Sequence, residues 1–136
     1  MTGRIDCARL PAMPPINVRL THSKRKAVRW NRMFGRSDES IESVMSHSDA
    51  VTTMYVPNDD EPFHVVWVRP DMEGDEAWCD AVLAHEAVHI AQNYFRYLGE
   101  TNPSEELEAY AVQFVTCHLS REHRKWLKKR QGKHGR

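Results

Sequence analysis

Thirteen residues constrain this chain more than any others: Asp80-Ala81-Val82-Leu83-Ala84-His85-Glu86-Ala87-Val88-His89-Ile90-Ala91-Gln92. The segment reads as helix. On a helix, residues four apart lie one above the other on the same face. His85 and His89 can therefore address one point in space, with Glu86 one residue after the first histidine. The H-E-x-x-H pattern is that of two zinc ligands and a carboxylate able to reach a water beside them. Ala81, Val82, Ala84, Ala87, Val88 and Ala91 surround it with small apolar residues, so the helix is expected to be buried. Two unpaired histidines would be costly there.

A catalytic zinc site uses three protein ligands and leaves a fourth position to water. The third ligand is sought in Glu105, Glu106 and Glu108. Glu105 suits a capping role and Glu106 the positive end of a helix. Glu108 lies beside an apolar stripe, between Leu107 and Ala109, and is the preferred ligand, with Glu105 next. Zinc lowers the pKa of water from about 15.7 toward about 7. Glu86 would then be the group that accepts a proton and passes it to a leaving amine.

The chain has 136 residues, consistent with one domain. Its three cysteines, Cys7, Cys79 and Cys117, form no C-x-x-C, so neither a disulfide framework nor a cysteine zinc site is expected. A reducing, cytoplasmic setting follows. No apolar run has the length of a membrane span, and Met1 to Pro15 lacks a signal-peptide core.

The 19 basic and 19 acidic residues cancel, yet they are segregated. Nine of the basic residues lie between Arg4 and Arg36 and eight between Arg121 and Arg136, while 17 of the acids lie between them. Solvated basic ends are the plainer reading. The sharper one is a surface for nucleic acid or another acidic partner.

Along the chain, a basic extended segment (about 1–15) precedes a strand at Ile16 to Thr21, where apolar and polar residues alternate. His22 to Lys26 reads as a charged turn, and Ala27 to Met33 is ambiguous between strand and helix. Ser37 caps a helix with Ile41, Val44 and Met45 on one face. Ala50 to Val56 and Phe63 to Val68 form an antiparallel hairpin. The motif helix runs roughly from Asp75 to Leu98 and stops at Gly99. A last helix starts at an Asn102 cap and carries the stripe Leu107, Ala111, Phe114, Val115 and Leu119. It then becomes a basic tail (about 121–136). The whole is an α+β domain, residues 1–136, with helices on a small, largely antiparallel sheet.

His85-Glu86-x-x-His89, eighteen residues, then Glu108-Ala109-Tyr110-Ala111 resembles the gluzincin zinc metallopeptidases in spacing and context. Its shortness is similar to the minimal gluzincins and to small H-E-x-x-H proteins of bacteriophages. The resemblance covers roughly Asp75 to Leu119. It implies a zincin-like fold, Zn2+ held by His85, His89 and Glu108, and Glu86 as general base and acid. It also implies that Phe63 to Val68 is the sheet-edge strand that pairs with an extended peptide substrate.

The chain departs from the thermolysin pattern at Val112, where an aspartate would hold a zinc histidine. No amine-anchoring motif is evident, so an endopeptidase is expected. Tyr97 and Tyr110 are candidate oxyanion donors, although a packing role is favoured for each. Trp78 reads as core in preference to a substrate platform, Cys79 and Cys117 as small buried helix residues, and His64 as an exposed strand residue. The competing function is a zinc-stapled structural or binding protein, such as a component of a phage particle; the retained Glu86 argues for catalysis.

Overall fold

The computed structural model describes residues 2–5, 16–33, 38–56 and 62–134. Its elements are β1 (Thr2–Ile5), β2 (Ile16–Thr21), α1 (Lys24–Met33), α2 (Asp38–Ser46), β3 (Ala50–Tyr55), β4 (Phe63–Val68), α3 (Glu76–Tyr97) and α4 (Glu105–His134). The class is α+β. The four strands lie in the order β1-β2-β4-β3. β1 pairs antiparallel with β2, and β3 antiparallel with β4. β2 and β4 run parallel, so the connection between them carries α1, α2 and β3.

Both faces of this sheet are covered. Ile16, Val18, Leu20, Val66 and Val68 pack against Leu83, Ala87, Ile90, Ala91 and Tyr94 of α3 and against Ala111, Val115 and Leu119 of α4. Trp67 faces the other way, onto Ala27 of α1 and Ile41 and Met45 of α2. β4 is therefore apolar apart from His64, as suits a doubly covered strand.

The expectation that Phe63 to Val68 is the sheet edge is not met. β4 lies between β2 and β3 and its backbone groups are committed to both ladders. Among the described residues, the free edge beside the motif helix belongs to β3. His64 is likewise fully buried, not exposed: it sits on the face of β4 that carries Val66 and Val68.

Other boundaries differ for local reasons. Thr2–Ile5, expected to be irregular, pairs with β2 as a strand. The segment read as a turn followed by an ambiguous stretch is one helix, α1, with Ser23 Oγ accepting from Lys26 N at 3.1 Å. Ser37 lies outside the described residues. In α2, Ile41 and Met45 are buried but Val44 is exposed. The cap of α4 is Ser104, whose Oγ accepts from Leu107 N at 3.2 Å, so Asn102 and Pro103 lie before the helix. Residues 121–134 continue α4 as regular helix. Among the described residues, no helix is long and apolar enough to cross a membrane.

Arg69, just past β4, fixes how the sheet meets α2. Its guanidinium donates to the carbonyls of Met45 (2.7 Å) and Ser48 (2.8 Å), which the end of α2 leaves without helical partners. It also lies 3.8 Å from the Asp49 carboxylate. This clamp sets the start of β3 against the first half of α3.

Candidate metal centre

α3 begins at Asp75, whose carboxylate accepts from Trp78 N at 2.8 Å, and ends at Leu98, followed by Gly99 at φ +75°. Its buried stripe runs through Leu83, Glu86, Ala87, Ile90, Ala91, Tyr94 and Phe95. That periodicity decides the fate of the motif. Glu86 falls on the stripe and is only 4 % exposed. His85 and His89 fall just off it and are exposed. The expectation of two buried histidines is thus reversed: the carboxylate is inside and the imidazoles face the open side.

The two rings converge. Nε2 of His85 and Nε2 of His89 are 3.1 Å apart, with the rings nearly edge-on at 75°. At that separation the N–H of one ring donates to the lone pair of the other. The distance also suits a shared metal. Zinc–nitrogen bonds of about 2.0–2.1 Å at the tetrahedral angle set two ligating nitrogens about 3.3–3.4 Å apart. The pair fits that geometry with little adjustment.

Glu86 has a partner that its sequence neighbourhood does not disclose. Thr52, on the edge strand β3, donates its hydroxyl to Glu86 Oε2. The contact joins residues 34 apart in sequence and fixes the carboxylate against the sheet. The only sequence signal for it is that Thr52 occupies the α3-facing positions of β3 with Ala50, on the alternation of that strand.

A cavity of about 300 Å3 opens beside this carboxylate, lined by Asp49 and Ala50 of the β3 start and by Trp78, Val82, His85 and Glu86 of α3. Trp78 does not join the core, as its apolar character led one to expect. It is 53 % exposed, with its Nε1 donating to Asp49 Oδ2 at 3.4 Å. Gly74 explains the placement. It has φ +124°, and a Cβ there would stand 2.6 Å from Trp78 Cδ1. The indole thus lies over the backbone of Gly74, beside His85 rather than under the helix.

Glu108 is half-buried, whereas Glu105 and Glu106 are exposed. The register of the α3–α4 pair determines where it lies. Asp80 accepts from Ser120 (3.3 Å) and Arg124 (3.0 Å), and Arg124 also reaches Glu76 at 2.9 Å. Counting twelve residues on from Asp80 and twelve back from Ser120 sets Gln92 opposite Glu108. Both line a neighbouring cavity of about 550 Å3, with Phe95, Arg96 and Pro103. Gln92 is one turn past His89, a rise of about 5 Å. The fold therefore brings His85 and His89 together, turns Glu86 to the buried side of the same helix, and sets Glu108 one turn along the helix pair. Among the described residues, no three His, Cys, Asp or Glu side chains are grouped closely enough to hold a metal ion.

The remaining candidates lie apart from this cavity. Tyr97 and Tyr110 are both exposed, Tyr97 at the end of α3 and Tyr110 stacked with Phe114 on α4. Val112 is half-buried against the core. Cys79 is half-buried, its thiol pKa raised by desolvation and by Asp80, Asp75 and Asp49. Cys117 is exposed, not buried as expected, because it falls on the outer face of α4. Cys7 lies outside the described residues.

No protein family matches the chain, and no curated protein or solved structure is significantly similar to it.

Proposed function

We propose that this protein is a small zinc-dependent metallopeptidase with a zincin-like arrangement, probing peptide substrates along the edge strand β3. The observation that carries the reading is the 3.1 Å approach of the two exposed imidazole nitrogens, close to the separation one zinc ion requires, on the helix that also carries the hydrogen-bonded Glu86.

In this reading His85 and His89 would hold Zn2+, and Glu108 of α4 would have to close toward them to serve as the third ligand. Bound there, the metal would supply Lewis acidity and bring the pKa of a water toward about 7. Glu86 would be the group that accepts a proton from that water and gives it to the leaving amine. Thr52, which donates to Glu86 Oε2, would hold the carboxylate in place. An extended peptide would add to the free edge of β3 by main-chain hydrogen bonds. Trp78 and Val82 would offer apolar surface to one side chain of the substrate.

The test is digestion of a peptide library by zinc-loaded wild type and by Glu86→Gln. Cleavage by wild type that disappears in Glu86→Gln, with bound zinc retained in both, supports the enzyme. Zinc held by both and no cleavage by either would leave the metal as a structural staple and overturn the catalytic reading.

A further inference from the structure

The two basic ends of the sequence have different fates in the fold. On α4, Arg124 is paired with Glu76 and Asp80, and Lys125 with Glu122 at 3.3 Å. Arg130 donates to the Pro70 carbonyl at 2.6 Å and lies over the Trp126 ring. Much of that charge is thus committed within the chain.

α1 is the opposite case. Its ten residues carry Lys24, Arg25, Lys26, Arg29 and Arg32 and no acid. All five are exposed. Lys24, Arg25, Lys26 and Arg29 have no carboxylate partner among the described residues. Three of these cations sit in the first turn, at the positive end of the helix dipole, where charge of that sign weakens an isolated helix. The helix is held by Ser23 at its start and by Ala27 packed against Trp67 beneath the sheet. Arg25, Arg29 and Arg32 follow one another at spacings of four and three, so they share a face. With Lys24, Val28 and Glu42 they line a groove of about 660 Å3 between α1 and α2.

We infer that the exposed basic face of α1 is a docking surface for the sugar–phosphate backbone of double-stranded nucleic acid. Charge complementarity names the partner class, and the shape of the surface narrows it. A rigid row of arginines suits bidentate contact with phosphates. Trp30, the aromatic residue of α1, is half-buried with the Arg19 guanidinium 5.5 Å from its ring centre, so it offers no open stacking platform for single-stranded bases. Insertion into a membrane would need an apolar face; Ala27 is buried and Val28 is packed against that same cluster, which leaves Met33, at the last position of α1, as its exposed apolar side chain.

The experiment is fluorescence anisotropy of the full chain with a labelled DNA duplex at several salt concentrations. Three to four phosphate contacts predict that affinity falls roughly 40- to 150-fold between about 50 and about 200 mM salt. The variant Lys24→Gln/Arg25→Gln/Arg29→Gln should lower affinity at least about 10-fold and flatten the log–log salt slope by about 2.7. Because these side chains are exposed, the variant should melt as wild type does. Lys128→Gln/Lys129→Gln/Lys133→Gln on α4 should leave binding nearly unchanged. Four results would overturn the inference: no binding at low salt, loss of binding through the α4 variant alone, tighter binding to a single strand than to the duplex, or stronger binding to anionic vesicles or polyglutamate than to the duplex.

Discussion

Acid should unfold this protein through two buried histidines, and the size of the effect follows from the structure. His22 is 9 % exposed; its Nε2 lies 2.9 Å from His123 Nδ1 and its ring stacks on Trp126 at 3.7 Å. Burial, with His123 and Arg130 nearby, lowers its pKa to about 3. His64 is fully buried in β4, its Nε2 without a hydrogen-bond partner among the described residues, and burial lowers its pKa to about 4. In the unfolded chain both return to about 6.5. The unfolded state therefore binds more protons between those values, and stability falls as pH drops below about 6.5. Each histidine removes about 1.4 kcal/mol per pH unit in that window. By about pH 4.5 the two together remove about 5 kcal/mol, a large part of the ~5–15 kcal/mol typical of a domain. His118 and His123 are shifted the same way, chiefly by burial, and add to the trend.

Urea unfolding followed by tryptophan fluorescence at about pH 7.5 and about pH 4.5 measures the difference. His64→Leu is the informative variant, since it fills a similar volume and deletes one proton site. It should keep wild-type stability at the higher pH and recover roughly half of the loss at the lower. Equal stability of wild type at both pH values would refute the reasoning. So would a His64→Leu protein that loses as much as wild type.

Three further outcomes are expected. If Glu86 is the proposed general base, Thr52→Val should leave the fold intact but lower kcat about 10-fold or more, with KM little changed, because Glu86 loses its tether; an unchanged kcat would remove Thr52 from the proposed mechanism. Arg69→Ala should destabilise by about 2 kcal/mol in urea, since it leaves the carbonyls of Met45 and Ser48 without a charged donor. Gly74→Ala should destabilise by about 1 kcal/mol or more and shift the Trp78 emission, because alanine meets both a left-handed φ and the indole.

What the sequence disclosed was local and periodic. β2 and α3 could be read almost to the residue because strict alternation marks one, and small apolar residues around the motif with Gly99 at the end mark the other. The hairpin partners β3 and β4 were legible for the same reason. β1 was not: four residues paired to β2 leave no pattern of their own. α1 was ambiguous because its cations obscure an apolar face of little more than Ala27 and Val28. The parallel pairing of β2 with β4, which moves β4 from the edge to the centre, depends on a crossover that local pattern does not encode.

The candidate site divides along the same line. His85, Glu86 and His89 lie within one helical turn and a spacing rule finds them. Thr52 reaches Glu86 from another element, and Trp78 is turned outward by Gly74, so neither could be found that way. Glu108 was preferred because it lies beside an apolar stripe, yet its position beside Gln92 depends on the contacts of Asp80 with Ser120 and Arg124.

The central claim is that His85 and His89 share one zinc ion with a carboxylate from α4. Titration of the metal-free chain with Zn2+ by calorimetry, beside His85→Ala, His89→Ala, Glu108→Ala and Glu86→Gln, tests it most directly. The account predicts one ion per chain, affinity lowered at least about 100-fold by either histidine variant and clearly by Glu108→Ala, and little change in Glu86→Gln. Zinc bound as tightly by His85→Ala as by wild type, or no zinc bound by wild type, would contradict it.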